Sequence, residues 1–315
     1  MYWTVCVCVV LCEQVGVTQP LCYRLTDSPT PWNLRPVVSL SYNLVKPWGV
    51  CGAPPASDDS HQFLVADRDA HAVLVFDRNG SFVARRTSNF RRPTHLAVTS
   101  RGHVVVTDKD NHRIQIFTAG WQHVRTFGGE GDRDGQFRYP WEVAVNSADE
   151  ILVSDSKNYR VQLFTGCGVY VAKHCLERAS REDKDGPRGV AFAPNDFAAV
   201  ADFDMLRVIV LSPDLRCVVH VVGVPGLASA PRSQADLRTK GCVERPRGLA
   251  FDADGNLLVV QARTNRDTNS LLKFTTTGDC LELQFDKDAC GVCVCADGRI
   301  AVVQPQTGVV VYADI

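Results

Sequence analysis

The sequence predicts an all-β protein, a six-bladed β-propeller closed into a ring, and three observations predict it. A proline-led apolar run recurs at a period of about 45 residues. Each copy continues into two further apolar runs, and turn residues such as TSRG, DADG and CADG separate the first run from the second. Short runs rich in Val, Ile and Leu between such turns are strands rather than helices, and three or four strands per period make a propeller blade.

Each first run starts at an anchor: Pro47 in KPWGVCG, Pro93 in RPTHLAV, Pro140 in YPWEVAV, Pro187 in GPRGVAF and Pro246 in RPRGLAF. Ala289 of DACGVCV takes the place of proline in the sixth copy, and the intervals are 46, 47, 47, 59 and 43 residues. Innermost strands buried on both faces suit continuous apolar runs such as GVAF. The second runs end in Asp67, Asp108, Asp155 and Asp202 in the first four copies, and in Gln261 and Gln304 in the last two. Arg113, Arg160 and Arg207 open three of the third runs, five residues beyond their Asp. A hairpin turn brings each Asp to its Arg and to the turn amides. Repetition across blades marks the pair as architecture, and Ala72 in the Arg position of the first copy implies that it helps without being essential. The last copy stops after its third strand, so VVSLSY (Val37 to Tyr42) is expected to supply the outer strand and close the ring.

Residues 1–35 are expected to form a poorly ordered leader and residues 36–315 the propeller. The apolar start MYWTVCVCVVLC lacks a basic beginning and a small-residue cleavage site, and is too short to span a bilayer. The 13 cysteines are an odd number, and five of them are scattered singly, which fits reduced thiols in a cytoplasmic protein better than a disulfide scaffold. Cys290, Cys293 and Cys295 form a C-x-x-C-x-C run with no nearby His, so no metal or other cofactor is expected. A net charge of −1 gives no overall pull toward nucleic acid, so an anionic partner requires a local basic patch.

DNHRIQIF (Asp110 to Phe117), SKNYRVQLF (Ser156 to Phe164) and the linker FGGEGDRDGQF (Phe127 to Phe137) resemble the NHL repeat. The resemblance covers about Lys46 to Ile315 and is strongest in the second and third blades. YPWEVAVNSADEILVSD and GPRGVAF look most like the TRIM-NHL proteins, in particular their developmental-timing, RNA-hairpin-binding branch. This resemblance implies an mRNA-binding module acting in post-transcriptional repression. The RING, B-box and coiled-coil segments usual in that family have no counterpart in these 315 residues, so the chain lends no support to ubiquitin-ligase activity.

Function is expected in residues that differ between blades. One face, the top, carries the loops before the anchors and the turns between second and third strands. It gathers Arg92, Arg138, Arg188, Arg245, Arg247, Lys109 and Lys157, with Arg263 in the fifth copy. Trp48, Tyr139, Trp141, Tyr159, Phe203, His95 and His112 lie at the same level. Arginine binds phosphate bidentately and aromatic rings stack on unpaired bases, so these are the candidate RNA contacts. An mRNA hairpin or short motif is the expected ligand. Trp48 and Trp141, at equivalent positions, are equally read as packing residues. The bottom turns are acidic, from Asp58 and Asp59 through Asp149, Asp196, Asp252 and Asp254 to Asp297. With the long insertion Gly223 to Cys242, they suit the alternative function, a protein-interaction scaffold with partners on the bottom or rim. Catalysis is not expected: among eight histidines His95 alone follows an anchor closely, and GGEGDRDG lacks the Lys-Ser/Thr of a phosphate loop.

Overall fold

A computed structural model describes residues 30–53, 62–177, 186–223, 243–262, 269–277, 279–285 and 288–314. The first 29 residues, Asp58, Asp59, Arg263 and all of the insertion beyond Gly223 lie outside these. The described chain forms six antiparallel sheets, one per repeat, arranged as a six-bladed β-propeller. Blade 1 is Pro47–Ala53, Gln62–Asp67, Ala72–Asp77 and Phe82–Arg86, from the axis outward. Blade 2 is Pro93–Val98, Val104–Asp108, Arg113–Phe117 and His123–Gly128. Blade 3 is Pro140–Val145, Ile151–Asp155, Arg160–Phe164 and Tyr170–Cys175. Blade 4 is Val190–Phe192, Ala198–Asp202, Arg207–Leu211 and Val218–Gly223. Blade 5 is Pro246–Phe251, Leu257–Gln261, Asn269–Phe274 and Cys280–Phe285. Blade 6 is Gly291–Val294, Ile300–Gln304 and Gly308–Asp314, completed by Leu34–Leu40.

The closing strand is the N-terminal one, placed a little earlier than VVSLSY. Leu34 pairs with Asp314 and Leu40 with Val309, in antiparallel register. The chain already contributes at Thr30–Pro31, which pair in parallel with Leu281 and Glu282 at the outer edge of blade 5. Between the two strands Trp32 is buried against the blade 5 and blade 6 cores, near Leu281, Ile300 and Tyr312. Trp32→Ala is therefore expected to cost about 3–5 kcal/mol, the range for emptying a buried aromatic site. Removal of residues 1–41 should cost more, because the closing strand goes with it. Urea midpoints equal to wild type for both proteins would contradict this account.

Proline cannot donate to a sheet ladder, which confines it to strand starts and bulges. Pro47, Pro93, Pro140 and Pro246 start their strands opposite Asp67, Asp108, Asp155 and Gln261, and the register then shifts. Such a shift re-aims the next side chains; here they are Trp48, Thr94 and His95, Trp141 and Glu142, and Arg247. The inner strands then approach too closely for side chains at some positions. A Cβ on Gly248 would sit 2.9 Å from the Cys290 carbonyl oxygen, and one on Gly291 2.5 Å from that of Trp48. Glycine is what lets blades 5, 6 and 1 meet at the axis.

The Asp at the end of the second strand ties the top loops down. Asp155 accepts N–H bonds from Arg138 (2.7 Å), Asn158 (2.8 Å) and Arg160 Nε (2.8 Å). Asp108 does the same for Arg91 (2.7 Å), Asn111 (2.9 Å) and Arg113 (2.7 Å). In blade 1, where Ala72 replaces the arginine, Asp67 takes three backbone N–H groups, from Val45, Lys46 and Ala70. In blade 5 the neutral Gln261 oxygen accepts from the Glu244 amide at 2.8 Å. In these four blades the acceptor is thus constant and its charge is not, because the shared task is to anchor the loop ahead of the blade's own inner strand.

Several bottom carboxylates are also structural. Asp149 accepts from the Ser100 amide (2.7 Å) and hydroxyl (2.8 Å) of blade 2, and Asp196 from those of Ser147 in blade 3 (3.1 and 2.7 Å). They staple each blade to the one before it. Eight described cysteines, Cys51, Cys167, Cys175, Cys217, Cys280, Cys290, Cys293 and Cys295, carry free thiols.

Candidate nucleic-acid interface

The re-aimed residues meet over the top of the axis. Trp48 of blade 1 and Trp141 of blade 3 pack edge to face, 5.5 Å between ring centroids. The Arg188 guanidinium lies 5.0 Å from the Trp141 ring and 3.7 Å from that of Phe203. Arg245 extends the row from blade 5, 5.9 Å from Phe203, and Arg68 extends it from blade 1, 4.8 Å from Trp48. Cations and rings therefore pack in one row across the mouth, Arg68, Trp48, Trp141, Arg188, Phe203 and Arg245, with Arg68 paired to Asp69 at 3.0 Å and Phe203 buried beneath Arg188. Each cation–ring contact is worth roughly 0.5–2 kcal/mol and, more usefully, holds a flexible side chain in place.

A branch of the row runs toward blade 2. Lys109 points its amine at Tyr139 (4.8 Å) and Trp141 (5.5 Å), and Tyr139 packs on His112 at 4.5 Å. Lys109, Tyr139, Trp141, Ser156, Lys157, Gly186 and Arg188 line a cleft of about 150 Å³. That is well below the roughly 300–1,000 Å³ of a small-molecule pocket. Arg92, Tyr139 and Arg245 each precede an anchor proline with φ of +52°, +56° and +39°. A residue before proline favours extended backbone, so the left-handed conformation is imposed, and Tyr139 and Arg245 are exposed by it. The constraint is visible: the Arg92 amide donates to His71 Nδ1 (3.1 Å) and the Tyr139 amide to His112 Nδ1 (3.2 Å).

The tertiary structure corrects five expected contacts. Phe203 is 8% exposed, buried beneath the Arg188 guanidinium, where it orders the arginine rather than offering its own face. His95 is 9% exposed, with Nδ1 3.1 Å from the Val143 carbonyl and Nε2 3.4 Å from the Glu142 carboxylate. It lies inside the ring, where it cannot meet RNA. Tyr159 is 7% exposed against 40% for Tyr139, because it closes a turn over the blade core. Arg247 donates to Asp288 (2.6 Å) and the Ala289 carbonyl (3.1 Å), clamping blade 5 to blade 6. Lys109 is buried with its amine 2.8 Å from Asp110, so its charge is compensated within the protein. Arg92 is half-exposed and shared between Asp69 (3.4 Å) and Asp110 (3.8 Å). Arg138 and Lys157 are exposed at the edge of the cleft, joined by the bond from the Lys157 amide to the Arg138 carbonyl.

Spacing does not single out Arg68, although it occupies the same column as Lys109, one residue beyond the second-strand Asp. Glu142 is legible as a charge near an anchor, but its partnership with His95 arises between blades.

Burial lowers the His95 pKa to about 4, partly offset by the Val143 carbonyl, and burial raises that of Glu142 well above the ordinary carboxylate range. Both groups are therefore neutral between the lowered value of His95 and the raised value of Glu142. A base depressed in the fold stays neutral while the unfolded chain protonates, so its contribution is complete above pH 6.5 and is lost as pH falls toward 4. Glu142 acts oppositely, losing stability as pH rises above its unfolded value. The His95 ring is expected to titrate near pH 4 by NMR; a midpoint near 6.5 would show that it is solvated.

Comparison with known proteins places this geometry. An NHL repeat model matches residues 90–117 and 137–164. Over 81 residues the chain is 32% identical to the protein brain tumor of Drosophila melanogaster, covering 23% of this chain and 8% of that protein. Over 76 residues it is 30% identical to NHL-repeat-containing protein 4 of Mus musculus, covering 24% of this chain and 52% of that protein. The chain thus spans about half of one of these relatives and a small part of the other. Among solved structures, virginiamycin B lyase from Staphylococcus aureus superposes with a TM-score of 0.59 at 12% identity, over 90% of this chain and 99% of that one. A streptogramin B lyase does so with a TM-score of 0.58 at 11% identity, over 89% and 97%. At such identities the likeness concerns the fold alone. The matched segments are NHL repeats in blades 2 and 3, and a propeller of this kind supports the reading of a binding module.

Proposed function

We propose that this NHL-repeat propeller binds RNA through its top face, recognising a hairpin or short unpaired element of a messenger RNA in the cytoplasm to repress it. The observation that carries the reading is the row of cations and rings across the mouth, in which Trp48, Trp141 and Arg188 are half-exposed and Arg245 is exposed. Guanidinium groups bind phosphate, and rings held at fixed spacing stack on bases splayed out of a helix. The cleft adjoining the row is too small for a drug-sized ligand. The resemblance to TRIM-NHL propellers that bind RNA hairpins or short motifs through this face supports the same reading. Crosslinking the protein to a randomised RNA pool, then sequencing the bound RNA and mapping the crosslinked peptides, tests it. Crosslinks are expected at Trp141, Tyr139 and the segment around Arg188; crosslinks confined to the rim or bottom would refute it.

A further inference from the structure

At the opposite end of the axis the ring flares into a bowl of about 800 Å³, within the range that ligands fill. Its floor is apolar. Val145, Phe192, Phe251 and Val294, from four successive blades, end their inner strands there, each half-buried with part of its surface in the bowl. Each packs on the core of a neighbouring blade and leaves the rest of its surface to the bowl.

The rim has one sign of charge in excess. Asp196, Asp252, Asp254 and Asp297 stand around the floor, and the two cations among them are already committed. Lys273 lies 3.0 Å from Asp252 and Arg299 2.8 Å from Asp297. Asp196 receives neutral donors from Ser147, and Asp254 is exposed. Among the described residues these two carboxylates therefore lack a compensating cation, and a concave wall of one sign focuses its field on whatever enters.

We propose that this bowl is a docking site for a linear peptide carrying an apolar side chain flanked by Lys or Arg. The apolar residue covers the floor, and the flanking cations meet Asp196 and Asp254. RNA is repelled by the same carboxylates, so the two ends of the ring serve two partners. The site does not depend on the top-face reading and survives its failure.

Cys295 supplies a built-in reporter. Cys295 lines the bowl, with its sulfur turned toward Gly52 at the seam with blade 1, and it accepts a hydrogen bond from the Cys293 thiol, which holds its pKa below the ordinary thiol value against the opposing effects of burial and Asp297. Its alkylation reports on cover over this wall of the bowl, whereas exposed Cys167, on a blade 3 turn outside the bowl, serves as the internal control.

The experiment uses the full chain and two fluorescein-labelled peptides, Lys-Leu-Arg-Phe-Lys and Glu-Leu-Glu-Phe-Glu. At saturation the basic peptide should slow iodoacetamide labelling of Cys295 at least tenfold and leave Cys167 unchanged, while the acidic one protects neither. By fluorescence anisotropy, Asp254→Lys should weaken the basic peptide about tenfold, and Ala253→Trp, which fills the bowl from an exposed turn, should abolish binding. Equal protection by both peptides, protection by an RNA oligonucleotide instead, no protection at all, or unchanged affinity in folded Ala253→Trp protein would each overturn the proposal.

Discussion

Arg188→Glu is expected to abolish RNA binding and leave the ring folded. Arg188 sits at the centre of the top-face row, stacked on Phe203 and Trp141 and half-buried. Glutamate there removes a cation at the phosphate path, loses the stacking that orders two rings, and adds repulsion. The expected loss is on the order of 100-fold, about 2.7 kcal/mol at 1.36 kcal/mol per tenfold step. Arg101→Glu makes the same charge change on an exposed bottom turn of blade 2 and should change affinity less than twofold. Wild-type affinity should fall as salt rises, with a slope flattened by at most about one unit per lost phosphate contact. Arg247→Glu separates the two possible roles of a top-face arginine. Its ion pair with Asp288 predicts a lower unfolding midpoint before any effect on RNA. Unchanged affinity of folded Arg188→Glu protein would remove the top face from consideration.

Arg160→Ala should cost about 3–5 kcal/mol, the range for breaking a buried ion pair. Its side chain is 5% exposed and that of Asp155 is fully buried. The guanidinium also donates to the carbonyls of Asp132 (2.8 Å), Arg133 (2.9 Å) and Gln136 (2.8 Å), so it holds the whole linker between blades 2 and 3. Alanine removes the donor of the Asp132 and Arg133 carbonyls and the counter-charge of Asp155, leaving Asn158, Gln162 and the Arg138 amide to hold the carboxylate. Arg113→Ala in blade 2 removes the equivalent pair where the arginine is 30% exposed, and water can replace it. A cost of about 1 kcal/mol is expected there. Equal urea midpoints for the two variants would show that burial of the pair is irrelevant.

The period of the anchors, the three apolar runs per copy and the Asp–Arg spacing were enough to determine six blades, their strand order and the closing strand. These properties are local: strand patterning repeats every second residue, and Asp155 meets Arg160 across a single turn. Blade 1 shows how far local logic reaches. Ala72 for arginine signals a dispensable pair, but of the amides that take its place, those of Lys46 and Ala70, the first comes from the loop ahead of the anchor, 21 residues away in sequence. The fate of the top-face charges was a tertiary decision. Nothing in the spacing says that Arg247 turns to Asp288, Lys109 to Asp110 or His95 to Glu142, whereas Arg188 turns to Phe203. Trp48 and Trp141 stand 93 residues apart and touch because blades 1 and 3 both bend their first strands over one axis. A side chain's partner is set by which blade faces it, and that neighbour exists only once the ring has closed.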